Sequence, residues 1–198
     1  MGGAAEHEVR LVLQLAVGLV FLASTLGKLR YPRAFARGVA DYELIPEAAA
    51  YVLSWTLIPV EAFIAIAHLS GQWLPIAAPL GLITLLLFTA AVGINLARGR
   101  GLPCYCFGGR GSDTISWRSM VRLLLLIGAE LVIILAIRSG PVPPSSPRDL
   151  VIATFWAVAL MLGALWILSL DDLVQLMKRQ PLAAARSAGS DAEEHPAR

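Results

Sequence analysis

Residues 74–97 read LPIAAPLGLITLLLFTAAVGINLA, a run that carries no charged side chain at all. A bilayer core of about 30 Å takes roughly 20 helical residues, so this stretch is long enough and apolar enough to cross one. Pro75 falls where a helix start tolerates proline, and Pro79 kinks the first turns without ending the run. Just before it, Ser70-Gly-Gln-Trp73 is too short to hold a domain, so the run pairs with the apolar segment Ala48 to Leu69 as an antiparallel hairpin. Three more apolar runs, Val9 to Gly27, Ser119 to Ile137 and Leu150 to Leu170, complete the candidate spans. With 57% hydrophobic and 15% charged positions in 198 residues, the composition lies far from that of a soluble domain. The mean hydropathy of +0.70 agrees. The expected fold is an all-α integral membrane protein, a bundle of four core transmembrane helices with a fifth span on the C-terminal side.

The expected organisation is a tail over residues 1–8, the bundle over 9–138, a Pro-rich loop over 139–149, the fifth span and a surface helix over 150–180, and a disordered tail over 181–198. Gly140-Pro-Val-Pro-Pro-Ser-Ser-Pro147 reads as a rigid, extended connector. The first run lies behind Glu6 and Glu8 rather than a basic segment and lacks a clear small-residue cleavage site, so it is expected to remain as the first span. Basic residues set the orientation. With five spans, all of the sixteen except Arg10, Arg138 and Arg148 fall on one side, which the positive-inside rule makes the cytoplasmic side of the cell membrane. The N-terminus is then outside, and the loop between the third and fourth spans inside.

That loop, residues 98–118, contains Gly101-Leu-Pro-Cys-Tyr-Cys-Phe-Gly-Gly109 and with it the only two cysteines of the chain, Cys104 and Cys106. Two thiols one residue apart can close on each other, exchange a disulfide with a partner, or share a soft metal ion. Spacing alone does not choose among the three. A disulfide prefers Cα atoms about 5.5 Å apart, closer than an extended i,i+2 pair, so the backbone must fold back. Pro103, Gly108, Gly109 and Gly111 permit such a turn. A strained bridge is easily reduced, which suits an exchanging disulfide better than a structural staple. Arg100 and Arg110 favour thiolate by charge, and Ser112, Asp113, Thr114 and Ser116 offer cap oxygens for a helix entering at Trp117. Because cytosolic thiols are kept reduced, a bridge on that side is expected to be transient.

Polar residues inside the spans are the next candidates. Glu61 follows Pro59 in the second span, where a charge near mid-bilayer costs about 3 kcal/mol on insertion scales. It is expected to be protonated, paired, or turned into the bundle. His68, seven residues on, reads as an ordinary interfacial histidine. Asn95, near the end of the third span, either braces the cysteine loop from below or hydrogen-bonds a neighbouring helix. In the fourth span, Arg122 is expected to snorkel toward phosphate, with pairing to Glu61 or Glu130 as the alternative. Lys28 and Arg30 close the first span as snorkelling residues. Arg33 to Leu44 reads as an interfacial amphipathic helix with Phe35, Val39 and Tyr42 on its apolar side.

Several chemistries are excluded. The chain has no glycine-rich phosphate loop ending in lysine and serine, no paired-histidine zinc motif and no nucleophile elbow. Two thiolates do not complete a tetrahedral zinc site, and His7, His68 and His195 are wrongly placed to finish one. Haem would rest on His68 alone. No nucleic-acid partner is expected; the lipid bilayer is.

The order of the features resembles the MauE branch of the MauE/DoxX membrane proteins. The residues that carry the likeness are Ser24-Thr-Leu-Gly-Lys-Leu-Arg-Tyr-Pro-Arg-Ala-Phe35, Asp41-Tyr-Glu-Leu-Ile-Pro46, Pro59-Val-Glu61, Asn95-Leu-Ala-Arg-Gly-Arg100, Cys104-Tyr-Cys-Phe-Gly108 and Ile115-Ser-Trp-Arg118, spread over roughly Arg10 to Ile137. The C-x-C-F-G core is the most specific of them. The chain departs from the family where Arg122 is followed by Leu123 instead of the usual asparagine. The resemblance implies a DoxX-like helical bundle tied to thiol and disulfide handling and named for methylamine utilisation. It further implies a part in maturing the disulfide-rich small subunit of methylamine dehydrogenase, beside a thioredoxin-like partner. That client lies outside the cytoplasm, opposite to the side the basic residues give the cysteines.

These residues favour a membrane thiol-disulfide redox protein in which Cys104 and Cys106 react and Glu61, Asn95 and Arg122 support them. With one pair only, electrons must pass on to a second protein or to a small acceptor such as quinone. Two other readings stand beside it: an assembly subunit whose cysteines merely tie a loop, and a small-solute transporter with Glu61 and Glu130 as proton sites.

Overall fold

The computed structural model describes residues 2–102, 115–138, 146–160 and 162–163. The chain divides into two compact units, Met1–Ala159 and Leu160–Arg198, and all the geometry below belongs to the first. Cys104 and Cys106, most of the Pro-rich connector, the end of the expected fifth span, and the surface helix and tail expected after it lie outside the described residues.

Among the described residues every regular element is helical: α1 (Gly2–Arg30), α2 (Pro32–Asp41), α3 (Glu47–Ser70), α4 (Leu74–Ala97) and α5 (Trp117–Arg138). A further helix covers residues 147–160. Among the described residues four stretches are long and apolar enough to cross a membrane, His7–Arg30, Glu47–Ser70, Leu74–Ala97 and Trp117–Arg138. At 24 residues, α4 rises ~36 Å at 1.5 Å per residue. Large apolar side chains such as Ile66, Ile83, Leu87, Leu125 and Leu135 point outward, an arrangement that water penalises and lipid does not. This is a multi-pass helical membrane protein.

Local chemistry sets the breaks. Pro32 cannot continue α1, so the chain turns at Tyr31 and restarts as α2, with the Phe35 N–H donating to the Tyr31 carbonyl. Gly71 takes a left-handed φ of 72° and ends α3, which closes the expected α3–α4 hairpin within Gly71-Gln-Trp73. Ser146 opens the last described helix through a capping box: its N–H donates to Asp149 Oδ2 at 3.0 Å, and the Asp149 N–H donates to Ser146 Oγ at 3.2 Å. Pro147 is therefore the first residue of a helix rather than the end of the extended connector. Likewise α1 begins at Gly2, so residues expected as a tail form its first turns.

The core is shared by four helices. Val17 and Phe21 of α1, Ile64 and Ala65 of α3, Ala78, Leu85 and Val92 of α4, and Leu123 and Ile133 of α5 form one buried cluster. Leu11 and Leu15 of α1 pack with Ala153 and Ala157 of the last described helix. The helix α2 corrects an expectation. Its apolar side does not face lipid: Phe35 is buried with Leu57 and Ile58 of α3, and Val39 packs against the same cluster. Tyr42, just after the helix, packs on the main core. Arg33 and Arg37 occupy the exposed side. The reason lies one helix away, where a buried cation needs a cover.

Candidate functional site

Three polar loci lie on this frame, and the first is the root of the cysteine segment. After α4 the chain turns at Gly99, whose φ of 68° is left-handed, and the Arg100 N–H donates to the Asn95 carbonyl at 3.1 Å. The Ile115 N–H donates to the Leu102 carbonyl at 2.8 Å, clasping the two ends of the segment that carries Cys104 and Cys106. Ile115 is buried and Leu102 packs on the main core, so both ends are anchored by apolar contact as well. The Arg100 guanidinium turns to the α2–α3 connector: it donates to Glu43 Oε1 at 2.8 Å and to the Tyr42 carbonyl at 3.5 Å. Arg100, expected to favour thiolate, thus already holds a carboxylate. Asn95 is fully buried on the last turns of α4. Its amide donates to the Ala91 carbonyl at 3.0 Å, and its Oδ1 has no partner among the described residues.

The second locus overturns the reading of Lys28. Instead of snorkelling to headgroups, Lys28 is 0% exposed and its Nζ bridges both Glu61 oxygens. Glu61 lies ~20 Å along α3 from Glu47 and ~14 Å from Ser70, so the pair is deep in the span. Ser24, one turn before Lys28, accepts from Nζ at 2.9 Å and donates to Glu61 Oε2 at 3.0 Å. The rings of Phe35 and Phe88 stand 4.9 and 4.7 Å from Nζ, a distance at which a desolvated cation gains from the ring faces. Four helices meet at one ammonium group. Arg122 lines a cleft of about 40 Å³ together with Ser24, Glu61 and Phe88. That space is large enough for water.

The third locus corrects His68. It is not interfacial: its side chain is 0% exposed and its Nε2 meets Glu130 Oε2 at 3.3 Å. Nδ1 lies 2.9 Å from the Ile64 carbonyl, which can only accept, so the ring donates through Nδ1 and turns Nε2 to Glu130. Glu130 therefore pairs with His68 rather than Arg122. Room for this comes from glycine. A Cβ on Gly81 would land on Glu130 Oε1 and stand 3.1 Å from its Cδ, and one on Gly18 would come within 3.0 Å of the His68 Cβ. Gln14 donates to the His68 carbonyl at 2.7 Å.

The structure thus brings Glu61 and Arg122 to one cleft and ties the Asn95 carbonyl to Arg100 in the turn after α4, while Glu130 belongs to a separate pair. Lys28, His68, Gly81 and Glu43 are the residues that sequence reasoning missed. A signal existed for Lys28, since Ser24 and Lys28 are one turn apart on α1 and an acid buried in the next span needs a base. The positions of Gly81 and Glu43 depend on packing between helices and leave no mark in spacing.

Comparison with known proteins gives the chain's family. The family model described as "Methylamine utilisation protein MauE" matches residues 6–138, which run from the first turns of α1 to the end of α5. A methylamine utilization protein MauE from Paracoccus denitrificans is 33% identical over 153 residues, covering 77% of this chain and 78% of that protein. No solved structure matches. The matched region takes in the buried pairs, the connector with Glu43 and the whole cysteine segment, and on this ground the chain belongs to the methylamine utilisation MauE family.

Proposed function

We propose that the chain is a membrane thiol-disulfide exchange protein that supports disulfide formation in a client through Cys104 and Cys106. The observation that carries the reading is the clasp of Leu102 on Ile115, because it gives a fixed base, at one end of a membrane bundle, to the segment with the only two thiols of the chain. Family membership supports it further; because the basic residues favour the cytoplasmic side for the pair, the methylamine pathway stands as the family's label and the client is one that meets the pair on that side.

The chemistry balances with a thioredoxin-like partner as oxidant. One thiolate of the pair attacks a sulfur of the partner's disulfide, an intermolecular S–S bond forms, and the partner's other sulfur leaves as thiolate. The second cysteine attacks its neighbour's sulfur, closes the Cys104–Cys106 bond and frees the partner as a dithiol. Two electrons have gone to the partner, and the two thiols have given up their protons. The same steps reversed pass the disulfide on to a client dithiol. The basic residues favour the cytoplasmic side for this pair, where the bridge would be short-lived. A transporter using Glu61 and Glu130 as proton sites has less support, since each carboxylate is already held by a buried base.

Cys104→Ser and Cys106→Ser test the proposal. One of the two variants should accumulate a mixed disulfide with the partner, visible as a reductant-sensitive band on a non-reducing gel. Both should abolish client oxidation. Full client oxidation by both variants would end the redox reading and leave the cysteines a structural role.

A further inference from the structure

Arg33 and Arg37 lie one turn apart on α2 and both are exposed, and Arg30, three residues before Arg33, is exposed at the end of α1. Covalent reach alone holds the Cα atoms of Arg30 and Arg33 within ~11 Å. Arg30 is fixed at the break between the two helices: its Nε donates to the Tyr31 hydroxyl at 3.1 Å, and its guanidinium stands 5.7 Å from the Tyr31 ring. The carboxylates of this end do not answer the three cations. Glu43 holds Arg100, and among the described residues no ion pair joins Arg30, Arg33 or Arg37 to Asp41, Glu43 or Glu47.

Depth separates this patch from an ordinary solvated face. Lys28 is level with Glu61, and Phe35 packs on Leu57 and Ile58, so α1 ends and α2 begins beside the middle of α3 rather than at its end. The same part of the bundle presents apolar side chains outward, Leu26 and Leu29 of α1 and Val52 and Trp55 of α3. Leu26 stands one turn before Arg30 on α1, the order of acyl chain and phosphate in a phospholipid. Guanidinium groups at such a boundary bind phosphate oxygens in charge-assisted pairs. The basic residues put this end at the cytoplasmic leaflet, which carries anionic lipid.

We propose that Arg30, Arg33 and Arg37 seat the phosphate of an anionic phospholipid whose acyl chains lie along Leu26 and Leu29. The seat has a structural consequence. Phe35, on the buried side of α2, stands 4.9 Å from Lys28 Nζ, so a lipid that holds the outer side of α2 also holds the cover of the Lys28–Glu61 pair. The cysteine chemistry plays no part in it.

The test is thermal unfolding of the full chain in nanodiscs of phosphatidylcholine alone and of phosphatidylcholine mixed with phosphatidylglycerol. Wild type should melt about 2–4 °C higher with phosphatidylglycerol present, and the gain should shrink at high salt. R33Q/R37Q should melt with wild type in phosphatidylcholine, since both side chains are exposed, yet lose most of the gain. R33K/R37K keeps the charges and should keep the gain. R148Q removes an exposed arginine from the helix that packs on Leu11 and Leu15, at the far end of α1, and should keep it too. Affinity for added phosphatidylglycerol, read by native mass spectrometry, should fall about tenfold in R33Q/R37Q. Inorganic phosphate should give wild type no gain in phosphatidylcholine, because it brings no acyl chains. An equal gain in wild type and R33Q/R37Q, an equal loss in R148Q, or a full gain from inorganic phosphate overturns the proposal.

Discussion

Lys28 on Glu61 and Arg100 on Glu43 are the same kind of contact, a cation held by a carboxylate, at opposite extremes of burial. The first has side chains 0% and 1% exposed, and the second 29% and 70%. Deep in the span, neither member of the first pair can be solvated if its partner goes, so the pair is obligatory once either residue is present. Its hydroxyl bridge to Ser24 and its cover of two phenyl rings satisfy the rest of the ammonium. At the membrane end water can replace either member of the second pair, so that contact adds little to stability. The difference teaches a division of labour: the buried pair fixes how α1, α2, α3 and α4 meet, and the exposed pair only ties the α2–α3 connector to the turn after α4.

The largest effect should come from Lys28→Met, which strands the Glu61 carboxylate and should cost about 3–5 kcal/mol of stability. Thermal unfolding of the full chain in detergent measures it. The double variant K28M/E61L should recover most of the loss, because a well-packed apolar pair often matches a buried ion pair. Wild-type stability for K28M alone would erase the contrast between the two regions. Next comes Gly81→Ala, whose added methyl displaces Glu130 from His68 at a cost of about 1–3 kcal/mol. In a Glu130→Ala background the same change should cost clearly less, and equal costs in the two backgrounds would show that the methyl clashes elsewhere. The smallest effect on unfolding belongs to Glu43→Gln, at about 1 kcal/mol or less. A loss as large as that of K28M would make Glu43 a structural residue and remove the distinction.

Much of the fold was legible because lipid enforces length and composition: four of the expected spans recur within a few residues as α1, α3, α4 and α5. The short helix after the first span was also legible as a helix, from the spacing of Phe35, Val39 and Tyr42. Its surroundings were not, since an amphipathic face reads the same whether lipid or α3 covers it. Lys28 and His68 were misread for a related reason. A polar residue near the end of an apolar run looks interfacial when each span is taken alone, but α1 and α3 are offset, and that offset carries Lys28 to the level of Glu61. At the site, Glu61, Arg122 and Asn95 stood out as polar residues in apolar surroundings. Gly81 and Glu43 act through a missing methyl group and a backbone angle, neither of which a one-dimensional pattern encodes.

The central claim is that Cys104 and Cys106 interconvert between thiol and bridged forms during function. Trapping with permeant and impermeant maleimides in intact cells, during growth with added oxidant and then reductant, reads redox state and sidedness together. The account predicts two labelled thiols after reductant, a protected pair after oxidant, and labelling by the permeant reagent only. Cysteines fixed in one form under both conditions would contradict it.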